Sequence, residues 1–102
     1  PDDVRIALES HPAVAGAAVV ARSDARLGET PVAVVELRES ASTDSAELAD
    51  YLRKRLARYE IPTEIAIVDA IPRTPSGKAD LSAIRAFFGA ASDVTAHSDH
   101  AR

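Results

Sequence analysis

The sequence predicts an α+β domain: a small three-stranded mixed sheet with helices packed on it. Three observations carry that expectation. Residues 14–21 and 31–38 are apolar, valine-containing runs separated by a short polar connection that includes Gly28. Leu48, Leu52 and Leu56 recur at every fourth position, the period of a helix face and not of a strand. Residues 64–71 then alternate loosely, as a half-buried strand does. In order, the segments read helix, strand, strand, helix, strand, helix, with no internal repeat.

Residues 1–10 form the first expected helix. Asp2 or Asp3 can cap it, proline is tolerated at its start, and Val4, Ala7 and Leu8 share a face. His11-Pro12 ends it, because the residue before proline avoids the helical region. The two apolar runs follow as an antiparallel pair, with Pro31 at a strand start, where a missing N–H is tolerated. Residues 44–59 are expected to form the longest helix, with Tyr51 and Tyr59 flanking the leucine stripe. Asp44 and Glu47 lie in its first turn, and Arg53, Lys54, Arg55 and Arg58 crowd its end, a polarity that complements the helix dipole. Residues 64–71 form the third strand, with Ile65 and Ile67 on one side and Ala66 and Val68 on the other. If that strand lies parallel to the second, the intervening crossover is right-handed. Asp80 caps a last helix whose face is Leu81, Ile84 and Phe88. From Gly89 onward the sequence has little to bury, so the expected organisation is one domain over residues 1–88 and a polar, disordered tail over 89–102.

Composition narrows the function. The chain has 102 residues, enough for one domain, and 46% of them are apolar. Much of that share is alanine, so the core rests on Val, Ile, Leu and the aromatics Tyr51, Tyr59, Phe87 and Phe88. A formal net charge of −4, with acids and bases interspersed, argues against a nucleic-acid or membrane-surface binder. The chain contains no cysteine, hence neither a disulfide framework nor a thiolate metal site. It has no apolar run long enough to span a membrane and no signal peptide, and the cytosol is the default compartment. Methionine is absent and the chain opens Pro1-Asp2-Asp3, the pattern expected of a piece of a longer or processed protein.

The segment that carries chemistry is Ile71-Pro72-Arg73-Thr74-Pro75-Ser76-Gly77-Lys78. Two prolines stiffen the approach, and Ser76 and Gly77 are expected to supply a flexible loop just before the lysine. A capped helix follows. Such a loop presents an ammonium group on a long stem, suited to phosphate or carboxylate oxygens. A Ser-Gly-Lys tripeptide alone is a weak signal, and the segment lacks the upstream glycine and following Ser/Thr of a phosphate-binding P-loop. His97 and His100 near Asp99 sit in a polar tail without a scaffold, which disfavours a metal site there. His11 reads as packing at a helix end, and Arg53, Lys54, Arg55 and Arg58 as a solvated face.

Several motifs, in order and at matching spacing, resemble the C-terminal domain of the acyl-activating, adenylate-forming enzyme superfamily. They are Pro1-Asp2-Asp3-Val4; His11-Pro12-Ala13-Val14 with Ala17-Ala18-Val19-Val20; Gly28-Glu29 with Pro31-Val32-Ala33; Glu47-Leu48, Leu56, Tyr59 and Pro62; and Pro72-Arg73-Thr74 with Ser76-Gly77-Lys78. The superfamily includes acyl-CoA synthetases, fatty-acid-CoA ligases, peptide-synthetase adenylation domains and luciferases. The resemblance implies a lid domain whose closing-motif lysine, here Lys78, reaches the active site during adenylation. It also implies ATP, Mg2+ and CoA as substrates and cofactors of the complete enzyme, a small-molecule carboxylate as the acid, and the enzyme's own N-terminal domain as partner. A lid surface of the family meets the CoA nucleotide, so the cations at the end of the long helix are candidates to lie near its phosphates.

Two positions depart from the family pattern. Glu60 stands where lysine is usual, and Ala79-Asp80-Leu81 replaces the commoner residues after the lysine. The family's hinge and the domain that holds ATP and the acyl chain would lie upstream of Pro1, so this chain is expected to be inactive alone. Within the superfamily the alternative is the lid of a peptide-synthetase adenylation domain. Those usually read Asn-Gly-Lys, and Ser76 favours the CoA ligase. An alternative of another class is a freestanding module that binds a ligand or partner.

Overall fold

A computed structural model describes residues 3–26 and 28–89. Its architecture follows from the second apolar run. β1 (Val14–Asp24) and β2 (Gly28–Leu37) pair antiparallel, and β3 (Glu64–Val68) adds to β2 in parallel, giving the sheet order β1-β2-β3. β2 is therefore the central strand, and Val32, Ala33, Val34 and Val35 are all buried. Neighbouring side chains of a strand point to opposite faces, so a run of four buried residues requires cover on both sides of the sheet.

Two apolar clusters supply that cover. On one face α1 (Asp3–Glu9) and α2 (Ser45–Arg53) bring Val4, Leu8, Leu48 and Leu52 against Val14, Ala17, Ala33, Val35 and Ile65. On the other, Ile71 and a last helix α3 (residues 81–89) bring Ile84 and Phe88 against Ala18, Val20, Val32 and Val34. Val14 and Ala17 are an odd number of residues apart yet share a face. A register shift between Val14 and Gly16 inserts one extra residue into β1 and resets the parity. Arg22, on β1, reaches across the central strand to the Glu64 carboxylate of β3 at 2.6 Å.

Local signals set the helix starts. The Asp44 carboxylate accepts the Glu47 N–H at 2.8 Å, and the Asp80 carboxylate accepts the Ala83 N–H at 3.1 Å, each satisfying a donor the helix cannot. Pro1 and Asp2 lie outside the described residues, and α1 begins at Asp3. α3 runs through Gly89, and the sequence-expected tail beyond it lies outside the described residues.

Five expectations are corrected. The β1–β2 ladder extends past the two apolar runs, to Asp24 and from Gly28, so the connection is shorter than expected and Pro31 lies within β2 instead of at its start. α2 stops at Arg53 instead of Tyr59; Ala57 is extended (φ −66°, ψ 153°), and a 3₁₀ turn, Arg58–Glu60, follows. The Glu60 carboxylate accepts the Ala57 N–H at 2.9 Å and holds that break. The reason is the crossover. Nine helical residues span about 14 Å, close to the roughly 17 Å of the five-residue strand that follows, whereas sixteen would overshoot it. Tyr59 is in consequence 83% exposed and takes no part in the core. Leu81 and Phe87, at 44% and 43% exposed, flank the buried Ile84–Phe88 pair instead of joining it. β3 ends at Val68 after alternating as expected, with Ile65 in the first cluster and Ala66 and Val68 against the second; Ile67 is partly exposed, and the chain bends before Ile71 re-enters the core.

The two clusters bury one another across the sheet, so the chain is expected to unfold alone in one cooperative transition. Phe88→Ala should lower the free energy of unfolding by about 3–5 kcal/mol. Tyr59→Ala should change it by no more than about 0.5 kcal/mol. Urea titration followed by circular dichroism distinguishes these outcomes from a core that includes Tyr59.

Candidate functional site

Lys78 is carried by a closed hairpin. Ile71 roots it, with its side chain in the second apolar cluster and its N–H donating to Glu36 Oε1 at 3.0 Å. The arms meet where Arg73 and Ala79 form an antiparallel bridge, and the Asp80 N–H donates to the Pro72 carbonyl at 2.8 Å. The Gly77 N–H then donates to the Thr74 carbonyl and the Thr74 N–H to the Lys78 carbonyl, both at 2.8 Å. Pro75 occupies the first corner of that turn, where its fixed φ fits. Gly77 sits at φ +92°, a left-handed conformation that closes such short hairpin loops and that only glycine adopts without strain.

Ser76 and Gly77 thus build a hydrogen-bonded turn where the sequence suggests a flexible loop. The Thr74 and Ser76 hydroxyl oxygens lie 3.0 Å apart across it, and Arg73 Nη1 donates to the Gly77 carbonyl at 3.1 Å. Lys78 leaves this frame exposed, and among the described residues its ammonium has no hydrogen-bond or ion-pair partner. The carboxylate two residues on, Asp80, is occupied with the α3 N-terminus. The arrangement is a free ammonium on a fixed base, able to meet an oxyanion brought to it.

The other sequence candidates are placed as follows. His11 is buried at the end of α1, with Nδ1 accepting the Ala13 N–H at 3.0 Å and its ring edge-on to Tyr51 at 4.6 Å. That is the packing role its sequence context suggests. Of the cations at the end of α2, Arg53 pairs with Asp50, and Arg55 lies 3.6 Å over the Tyr51 ring. Arg53 and Arg58 line a groove of about 420 Å³ with Leu56 and Ile61. α2 covers the opposite face of the sheet from Ile71 and α3, so the structure does not gather these cations and Lys78 into one cluster. Among the described residues there is no metal-ligating group of three or more side chains, and His97, Asp99 and His100 lie outside them. No helix among the described residues is long and apolar enough to cross a membrane. Sequence reasoning missed Glu36 and Arg73 as supports of the hairpin. The available signal for Glu36 was a carboxylate following the apolar run 31–35 near the end of β2.

Comparison with known proteins bears on this geometry. The family described as AMP-binding enzyme C-terminal domain matches residues 6–78, ending on Lys78. Medium-chain acyl-CoA ligase Mig of Mycobacterium avium is 44% identical over 79 residues, covering 78% of this chain and 14% of that protein. The vibriobactin-specific 2,3-dihydroxybenzoate-AMP ligase of Vibrio cholerae is 40% identical over 88 residues, 85% of this chain and 16% of that protein. A solved fatty acyl CoA synthetase of Mycobacterium tuberculosis superposes with a TM-score of 0.81 at 28% identity, over 89% of this chain and 18% of that one. The chain therefore spans less than a fifth of the length of these relatives, and it belongs to the AMP-binding enzyme C-terminal domain family.

Proposed function

We propose that this chain is the lid of an ATP-dependent acyl-CoA synthetase, and that Lys78 supplies the charge for its adenylation half-reaction. The observation that carries the reading is the unpartnered Lys78 ammonium, held out from a hydrogen-bonded hairpin at the end of the family match. In adenylation a carboxylate oxygen attacks the α-phosphorus of ATP, the bond to the β-phosphate bridging oxygen breaks, and pyrophosphate leaves. Negative charge concentrates between the acyl oxygens and the phosphoryl group. A positioned ammonium there stabilises the transition state more than the separated reactants. Rotation of the lid then withdraws Lys78, and the CoA thiol, losing its proton, attacks the acyl carbon and breaks the acyl–phosphate bond, so that AMP leaves.

The acid, ATP with its Mg2+, and CoA are assigned to the complete enzyme, as is the N-terminal domain on which the lid closes. A cytosolic setting is part of the same reading. The family's spread supports a lid indifferent to the acyl group, because one relative is named for a medium-chain acyl-CoA and another for 2,3-dihydroxybenzoate-AMP. The latter also keeps a second reading open, in which the acyl-adenylate passes to a carrier protein instead of CoA. Supplying the complete enzyme with each acceptor in turn separates the two.

Two outcomes test the proposal. In the complete enzyme, Lys78→Ala should slow acyl-adenylate formation by about a hundredfold or more, the scale of one lost preorganised contact. Thioester formation from supplied acyl-adenylate should stay within about twofold, because Lys78 is withdrawn in that step. Equal losses in both half-reactions would show that Lys78 serves lid movement or structure. The isolated chain should bind ATP no more tightly than about 1 mM and turn none over, since one lysine supplies little affinity. Micromolar affinity in calorimetry would instead indicate a freestanding nucleotide-binding module.

A further inference from the structure

We infer that Arg73 is a positioning residue for Lys78: its guanidinium clamps the hairpin to β1 and fixes the point from which the lysine reaches. The inference rests on the adenylation role proposed above. Three contacts converge on one step of the sheet, where Gly16 of β1 faces Glu36 of β2 beside the register shift. The Glu36 carboxylate takes the Ile71 N–H at 3.0 Å. Ile71 Cδ1 and Arg73 Nη2 lie over Gly16, 3.8 and 3.7 Å from where a β-carbon would stand. The hairpin arm thus lies close over the strand at Gly16, at a spacing that a β-carbon would meet in ordinary van der Waals contact.

From that position the other terminal nitrogen, Nη1, donates to the Gly77 carbonyl at 3.1 Å. One planar group thus lies beside Gly16 of the strand with one terminal nitrogen and holds the turn with the other. The carbonyl it holds belongs to the left-handed residue immediately before Lys78. Backbone bonds alone fix the distance between the hairpin arms. They do not fix how far the turn leans over the sheet, because the Thr74–Lys78 and Arg73–Ala79 contacts move with it. The Arg73 bridge and the buried Ile71 side chain oppose that tilt. Arg73 is itself exposed, and among the described residues no carboxylate pairs with it, so none competes with the Gly77 carbonyl for its Nη1. Lysine cannot replace it, because a point ammonium lacks the two separated nitrogens that meet strand and turn together. A small tilt matters because misplacing a reacting group by about 1 Å costs up to about a hundredfold in rate.

The test is a double-mutant cycle on the two half-reactions of the complete enzyme, joined to amide exchange on this chain. Arg73→Ala should slow adenylation by about tenfold or more and leave thioester formation within about twofold. In a Lys78→Ala background the same substitution should cost less than about twofold, since there is no ammonium left to place. Arg73→Lys should lose most of what alanine loses. Exchange at the Ile71 N–H, which ties the hairpin to Glu36 of the sheet, should speed up in Arg73→Ala while exchange at Val34, in the central strand, stays unchanged. An undiminished loss in the Lys78→Ala background would mean that Arg73 acts on the reactants itself and would overturn the inference. Full activity in Arg73→Lys, or adenylation unaffected in Arg73→Ala, would overturn it as well. If Lys78→Ala alone leaves adenylation intact, the functional reading and the inference fall together. In that case the Ile71 exchange rate still reports whether the clamp exists.

Discussion

Four consecutive residues of β2, Val32 to Val35, are withdrawn from water, and an extended chain achieves this only when both faces of its sheet are covered. The other elements are arranged around that demand. α1 and α2 supply one cover. The parallel placement of β3 against β2 follows, because α2 has already carried the chain back over the sheet. The second face is left for whatever comes after β3, and α3 fills it with Ile84 and Phe88. The chain must therefore pass from the end of β3 to the start of α3, around the end of the sheet. The Lys78 hairpin is that passage. Its place is set by packing, and Ile71 belongs to core and hairpin at once.

A lid that delivers a charge benefits from a stiff hairpin. A transition state is stabilised most by groups that need no reorganisation when charge develops. A lysine on a floppy loop would lose conformational entropy at each turnover, weakening the very contact it makes. Here the backbone is closed by turn bonds, by the Arg73–Ala79 bridge and by the capped helix after it. What remains free is the lysine side chain itself. On the proposed reading, the motion that brings in and withdraws the charge belongs to the whole domain, with the hairpin carried as part of a rigid body.

The legible parts of the sequence were those governed by neighbours in sequence. The apolar runs of β1 and β2, the α1 face of Val4 and Leu8, and the Asp80 cap are local patterns, and each formed, although the two strands extend past their runs, to Asp24 and from Gly28, and Asp44 caps α2 from just outside it. The errors arose where a distant element decided. The leucine stripe continues to Leu56, so periodicity alone extends α2, but the length of the crossover ends it at Arg53. Tyr59 belongs to the same mistake, since a helix would have turned it toward the core and the 3₁₀ turn points it to solvent. Ser76-Gly77 is locally ambiguous. The same two residues suit an open loop or a left-handed turn, and the choice is made by hydrogen bonds between arms. The support from Glu36 was out of reach because it joins residues 35 positions apart in the chain.

The distribution of chemistry along the chain fits a division of labour. Among the described residues, the hairpin offers one unpartnered ammonium to its surroundings, while its other cation, Arg73, is bonded to the Gly77 carbonyl. Every carboxylic acid presents the same two oxygens, and every ATP the same α-phosphate, so a single ammonium can serve acids of very different shape. A domain with that task is under no pressure to vary with substrate at Lys78 or at the contacts that hold it. Its constraints are geometric: a glycine that accepts φ +92° and a carboxylate on the central strand that anchors its root. On the proposed reading, selectivity for the acid resides with whatever surface holds the acyl chain, and this domain contributes a charge whose position is set by the core.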